Sequence, residues 1–303
     1  MKRILISGAT GLVGSELSRL LTTGGHEVIA LTRRESSTDV RWSPEAGTIE
    51  ADKLAGFDAV VHLAGENVIG RWTAEKKRRI RDSRVHGTRL LCETLAQLPT
   101  KTATLVCASA TGYYGNRGDE ILTEDCPKGT GFLPDVCEAW EAACEPARQA
   151  GIRVVTVRIG IVLTPGGGLL GKLLFLFRAG LGGHVGDGRQ WMGWIAIDDL
   201  VDIFQTSILD ESLSGVINAT SPNPVTNAEF TKALGRVVRR PTLLPVPKIA
   251  VKAALGSAAD ELALASARVV PARLQARGHT FRQPLLEPAL RTLLGRESDR
   301  QVK

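Results

Sequence analysis

Residues able to do chemistry gather first near the N-terminus, where glycines recur three apart. Ser7-Gly8-Ala9-Thr10-Gly11-Leu12-Val13-Gly14 follows the apolar run Ile4-Leu5-Ile6 and opens a stretch of helical periodicity. Between a strand and a helix, that spacing makes a cradle for a pyrophosphate. Gly8 allows the tight turn, Gly11 lets the backbone approach the phosphates, and Gly14 lets the helix pack closely on the strand. The first amides of the helix, around Thr10, Leu12 and Val13, supply oriented N–H donors for an anion. Beyond the next apolar run stands Thr32-Arg33-Arg34, where NAD-selective sites place an acid for the ribose hydroxyls. A guanidinium matches a 2′-phosphate in shape and charge, so the expected cofactor is NADP. A third run ends in His62-Leu63-Ala64-Gly65-Glu66, where small residues let a dinucleotide lie close.

These residues need a sheet whose strand ends lie on one edge, and the chain has the pattern for it. Apolar runs at 4–6, 28–31, 59–63, 104–108 and 154–159 alternate with helical patterns at 12–21, 73–98 and 133–150. Alternation of this kind predicts a parallel sheet with crossover helices, and residues 194–197 and 216–218 read as later strands of it. The glycine-dense stretch 166–188 reads as a mobile loop with a short helix. After Pro222 the helices are punctuated by Pro224, Pro241, Pro245, Pro247 and Pro271. The expected fold is α/β, a Rossmann-type doubly wound parallel sheet with a smaller C-terminal α/β substrate domain. The NADP-binding domain takes 1–165 and 190–221, and the substrate domain takes 166–189 and 222–303.

The remaining composition narrows the function. A 303-residue chain with 43% hydrophobic residues can bury a sizeable core. A net charge of +6 favours anionic partners, and no basic stripe interleaved with aromatics points to nucleic acid. The five cysteines show no CxxC spacing, which suits reduced thiols better than disulfides or a metal site. The N-terminus lacks the apolar core of a signal peptide, and no apolar run is long enough to span a membrane. A soluble, cytoplasmic protein with a small-molecule substrate is expected, its oligomeric state open and a dimer compatible.

The 8–14 turn, the 58–65 strand and Ser109-Ala110-Thr111-Gly112-Tyr113-Tyr114-Gly115 together resemble the extended short-chain dehydrogenase/reductases. Leu63-Ala64-Gly65-Glu66, Trp140-Glu141, Gly180-Leu181-Gly182-Gly183, Gly188-Arg189-Gln190, Trp194-Ile195 and the NATSPNPV run at 218–225 narrow this to the atypical, epimerase-like branch. That branch carries a C-terminal domain of unknown function, and the resemblance spans nearly the whole chain. It implies NADP binding and activity as an epimerase, dehydratase or oxidoreductase. Some plastid and cyanobacterial members carry a cell-division label instead. Two positions depart from the branch: Ala196 replaces a frequent His, and Gly256-Ser257-Ala258 replaces a more acidic pattern.

Related enzymes move a proton with a Tyr and a Lys four residues on, a spacing that shares one helix face. Here Tyr113 is followed at that distance by Arg117, and Tyr114 by Gly118. The pair is absent. By the resemblance its positions are taken by Cys137 and Glu141. Glu141 is then a candidate general base, and a carboxylate there raises the pKa of Cys137; packing and surface charge are the plain alternatives. Ser109 falls where related enzymes place a hydroxyl near the reacting carbonyl, with Thr111 close by and Tyr113 a pocket-lining candidate. Arg158 ends a strand on the ligand edge and is assigned to the cofactor, with a pairing to Glu66 or Asp58 as the alternative. Lys172, Arg178, His184 and Arg189 lie in the glycine-dense stretch and would suit an anionic substrate. The first expectation is an NADP-dependent oxidoreductase or epimerase acting on a carbonyl or nucleotide-sugar-like substrate. The second is a non-catalytic NADP-binding sensor.

Overall fold

The computed structural model describes residues 1–296. Its strands are β1 (Arg3–Ser7), β2 (Glu27–Thr32), β3 (Val40–Ser43), β4 (Thr48–Ile49), β5 (Ala59–His62), β6 (Thr104–Ala110) and β7 (Ile121–Leu122). There follow β8 (Arg153–Ile159), β9 (Ile161–Leu163), β10 (Trp191–Met192), β11 (Trp194–Ala196), β12 (Gly215–Ala219), β13 (Val225–Thr226) and β14 (Arg268–Val269). The helices are α1 (Leu12–Thr23), α2 (Ala74–Gln97), α3 (Phe132–Ala142), α4 (Glu145–Gln149), α5 (Gly168–Arg178) and α6 (Ile197–Leu209). They continue with α7 (Asn227–Val238), α8 (Lys248–Leu255), α9 (Ala258–Leu262), α10 (Ala272–Ala276) and α11 (Leu286–Leu293).

Eight strands form one sheet in the order β12-β8-β6-β5-β1-β2-β3-β4. Every pair is parallel except β3 with β4. The chain grows outward from β1 through β4, then returns to β5 on the other flank of β1. A crevice therefore opens between the carboxyl ends of β1 and β5, the switch point where such sheets hold ligands. One face of the sheet packs Leu17 and Leu21 of α1 with Ile203 and Phe204 of α6. The other packs Leu91 and Leu95 of α2 with Trp140 and Ala147. Both faces are covered, which is why the strands read as unbroken apolar runs rather than alternating ones.

The main sheet is as expected, with four local differences. β3 and β4 extend it beyond β2; they are too short to stand out as apolar runs. β11 belongs to a separate parallel pair with β9, not to the main sheet, because β8 and β9 are two strands broken at Gly160. A Cβ at Gly160 would lie 2.6 Å from the Gly193 carbonyl oxygen, so the two segments meet backbone to backbone. The helix expected over 133–150 breaks in two, at Ala143 and Cys144. The 166–188 stretch holds a full helix, α5, whose Leu170, Leu174 and Phe177 are buried. They join Trp194, Phe230, Leu234 and Leu290 in one apolar cluster, so this glycine-dense segment is core. Leu274 of α10 reaches the α6 face of the main sheet. Among the described residues, no helix is long and apolar enough to cross a membrane.

Candidate functional site

Gly8 leaves β1 at φ +72° and turns the chain against the end of β5; a Cβ on it would lie 3.0 Å from the Ala64 nitrogen. A Cβ on Gly14 would lie 2.1 Å from the Gly8 carbonyl oxygen, so only glycine lets α1 begin there. Gly11 caps α1, and no side chain accepts from the helix's first amides. Helix starts leave such donors without partners, and an anion is what satisfies several at once. Thr10, Gly11 and Leu12 are exposed, while Val13 is half-buried. The Leu12 side chain is approached by Gly167, whose Cβ would meet it at 2.9 Å. The tip of the turn, from Thr10 to Leu12, is open.

Beneath it, Ser7 ties β1 to β5. Its Oγ accepts the backbone N–H groups of Leu63 at 3.1 Å and Ala64 at 3.2 Å, and lies 2.6 Å from His62 Nδ1. With both acceptor sites taken, the Ser7 hydroxyl donates to Nδ1 and leaves the imidazole proton on Nε2. His62 is completely buried, and burial pushes its pKa down to about 4. It is a neutral strut fixing the shape of the crevice wall.

At the end of β2, Arg33 and Arg34 are exposed, and among the described residues neither has an acidic partner. Thr32 Oγ1 accepts the Arg34 N–H at 3.1 Å, which turns the strand end. Both guanidinium groups are free for an anion. Gly65 is exposed and Leu63 and Ala64 are half-buried at the crevice. The Glu66 carboxylate is spent on Lys76 at 2.6 Å; the lysine's hydrogen bond holds the Glu66 pKa below the usual carboxylate value.

Ser109, near the carboxyl end of β6, donates to Glu141 Oε1 at 2.7 Å. Arg158 grips the same carboxylate with two bonds, Nε to Oε1 at 2.8 Å and Nη2 to Oε2 at 2.9 Å. The Arg158 guanidinium, expected at the cofactor or else paired with Glu66 or Asp58, is bound to Glu141 instead of either of those acids. Its strand neighbours hold it facing α3, where it is 3% exposed and covered by the Tyr113 ring at 3.4 Å from the centroid. Burial opposes its charge, but the Glu141 hydrogen bonds and charge outweigh that and raise its pKa. Arg158 Nη1 also donates to the Tyr114 hydroxyl at 3.0 Å, which donates to Asn218 Oδ1 at 2.8 Å. Burial pushes the Tyr114 phenol up to about 12.

Cys137 lies one turn before Glu141 and is 3% exposed. Burial first, and the Glu141 charge second, push its thiol up to about 12. The direction matches the expectation, and the thiol stays protonated near neutral pH. Trp194, part of the motif shared with the epimerase-like branch, is wholly buried in the core. Lys172, Arg178 and Arg189 are exposed.

Sequence reasoning missed the members that lie far apart in the chain. Glu261 of α9 accepts the N–H groups of Phe132 at 3.0 Å and Leu133 at 2.7 Å, so the C-terminal region caps the helix that carries Glu141. Glu124, 6% exposed, accepts the Asn218 N–H at 2.9 Å and ties β12 to the Tyr114 network. Nothing local marks either residue. Tyr114 had a signal, being one of only two tyrosines.

A glycine turn left open at the switch point of a doubly wound sheet, with a hydroxyl at a neighbouring strand end, defines a Rossmann-type protein of the extended short-chain dehydrogenase kind. The chain belongs to the NAD dependent epimerase/dehydratase family, whose model matches residues 4–218. A domain of unknown function, DUF1731, matches residues 246–293. The chain is 44% identical over 290 residues to an epimerase family protein of Mycobacterium bovis, covering 95% of this chain and 96% of that one. It is 35% identical over 298 residues to the human epimerase family protein SDR39U1, covering 96% and 99%. The human protein's crystal structure with NADPH superposes at a TM-score of 0.88, with 32% identity over 97% of this chain and 99% of that one. A nucleoside-diphosphate sugar epimerase structure from Corynebacterium glutamicum gives 0.83 at 43% identity. That match covers 99% of this chain, which spans only 59% of the Corynebacterium chain.

Proposed function

We propose that this protein is an NADP(H)-dependent oxidoreductase or epimerase acting on a carbonyl or sugar-like hydroxyl of a small anionic molecule. The observation that carries it is the open glycine turn with Arg33 and Arg34 free at the end of β2. The human relative's NADPH complex supports the cofactor. Gly8, Thr10, Gly11, Leu12, Val13 and Gly14 would hold the pyrophosphate, Thr32, Arg33 and Arg34 the 2′-phosphate, and Leu63, Ala64, Gly65 and Glu66 would flank the cofactor. When bound, the nicotinamide supplies hydride chemistry.

The chain's own residues handle the proton. Ser109, 2% exposed, already donates to Glu141, so its oxygen would act as acceptor toward a substrate hydroxyl that reaches it. A proton leaving that hydroxyl passes to Ser109 Oγ as the Ser109 proton passes to Glu141 Oε1. Arg158 holds the carboxylate in place for this step. The Ser109–Glu141 pair thus replaces the missing Tyr-Lys pair.

The test is turnover with NADPH or NADP⁺ across a panel of carbonyl compounds and sugar alcohols. Ser109→Ala is expected to lower kcat by roughly two orders of magnitude, as loss of one proton-handling group does, with NADPH affinity unchanged. Equal turnover in wild type and variant removes the relay.

A second reading, a non-catalytic NADP(H) sensor, is favoured by one observation: both Glu141 oxygens are already taken by Arg158 and Ser109. Tight NADPH binding without turnover on any member of the panel would decide for it.

A further inference from the structure

Arg84 of α2 reaches into the cleft between the β5 end and α3. Its Cζ lies 5.0 Å from the centroid of the Trp140 ring. It also lies against Gly65, where a Cβ would come within 3.2 Å of it. Nη1 donates to the Glu66 carbonyl at 2.9 Å and the Ile80 carbonyl at 3.1 Å. Nε and Nη2 have no acceptor among the described residues. Nor does any carboxylate there pair with it, since Glu66 is engaged by Lys76 and Glu141 by Arg158. The guanidinium is half-buried with no ion-pair partner among the described residues, and burial lowers its pKa. Its unpaired edge is not sealed in the protein, and a perturbed charge with such an edge is a candidate ligand site.

A second group beside it lacks a partner. Trp140 is 5% exposed, and its Nε1 is buried with no acceptor. Both donors lie beside the Ser109–Glu141 pair: Arg84 stacks on Trp140, and Trp140 directly precedes Glu141, which accepts from Ser109.

We infer that Arg84 is an oxyanion-binding residue beside the reacting centre, taking a carboxylate or phosphate oxygen of the substrate on its free guanidinium edge. The substrate class is then an acid or phosphate ester whose reacting carbonyl or hydroxyl lies near the anionic group. For the position of the reacting centre, this rests on the oxidoreductase reading. The same chemistry has a second source, the pyrophosphate of the cofactor, and the experiment separates the two.

Full-length protein, cofactor-free and saturated with NADP⁺, is titrated by calorimetry with oxalate and, separately, with inorganic phosphate. Saturable anion binding is expected in the NADP⁺-loaded protein. Arg84→Gln is expected to weaken it on the order of tenfold or more, the effect of losing a charged hydrogen bond. Its NADPH affinity should stay within about threefold, less than one charged contact is worth. Anion affinity unchanged in Arg84→Gln overturns the inference. So does a tenfold-scale loss of NADPH affinity with anion binding intact, which would give the guanidinium to the cofactor. If Arg84→Gln does not fold, wild-type crystals grown with NADP⁺ and oxalate decide: the anion on the Arg84 guanidinium supports the inference, and its absence there overturns it. Failure of wild type to bind NADPH sinks the parent reading instead, and the cofactor-free titration still tests Arg84.

Discussion

Arg33 and Arg34 stand exposed at the end of β2, and the neighbouring acid, Glu35, is paired with Arg41, so among the described residues their charge is left for a ligand. Arg33→Asp is expected to weaken NADPH binding by roughly one to two orders of magnitude, the value of a lost charged contact, and to leave NADH nearly untouched. Calorimetric titration of both cofactors checks it; equal losses would place the 2′-phosphate elsewhere. His62 makes a different prediction. Its pKa is near 6.5 when exposed and about 4 in the fold, so the unfolded chain takes up the proton first on acidification. Stability from this group is complete above about pH 6.5 and drains away as pH falls toward 4, by up to about 3 kcal/mol. Urea midpoints at pH 7, 6, 5 and 4 measure it, with His62→Asn expected to flatten the slope. These two residues also bound what could be read in advance. The arginines announce themselves by position after an apolar run. The fate of Arg158 did not, because a strand end says nothing about which helix will lean against it, and α3 presented Glu141.

Elements fix the geometry that single residues only exploit. α1 starts so close to the turn that a Cβ on Gly14 would lie 2.1 Å from the Gly8 carbonyl oxygen. Gly14→Ala must therefore move the helix start. We expect a cost of about 1–3 kcal/mol from overpacking, together with a fall in NADPH affinity as the first amides shift; denaturant midpoint and cofactor titration measure the pair, and unchanged affinity would refute the role of those amides. The parallel strands and their crossover helices were legible because strand pattern, glycine turn and helical periodicity all agree. α5 was not. Its glycines suggested looseness, yet Gly171 and Gly182 lie where neighbouring carbonyl oxygen and aromatic ring come close, and Leu170, Leu174 and Phe177 bury the helix. Glycine density marks close approach as well as freedom, and only the partner surface tells which.

At the scale of the molecule, the β9–β11 pair and the C-terminal helices share an apolar interior, and α10 joins that of the main sheet. Trp194 and Leu163 pack with Phe230, Leu234 and Leu290, and Leu274 packs on the α6 face. A chain ending at residue 221 would expose those surfaces, which exceed what single scattered apolar residues present. We expect it to lose cooperative unfolding and to self-associate, as read by calorimetry and size-exclusion chromatography; a monomer with a sharp transition would show the sheet to be autonomous. Charge at this scale, +6 overall, matches anionic ligands without naming one.

The two bonds from Glu261 to the start of α3 have a consequence for ancestry. A C-terminal segment grafted from a relative with no acid at that place would arrive with the amides of Phe132 and Leu133 uncovered and the helix bearing Glu141 free to drift. The segment is therefore no interchangeable cassette: any exchange must also bring along the clasp that holds the start of the Glu141 helix.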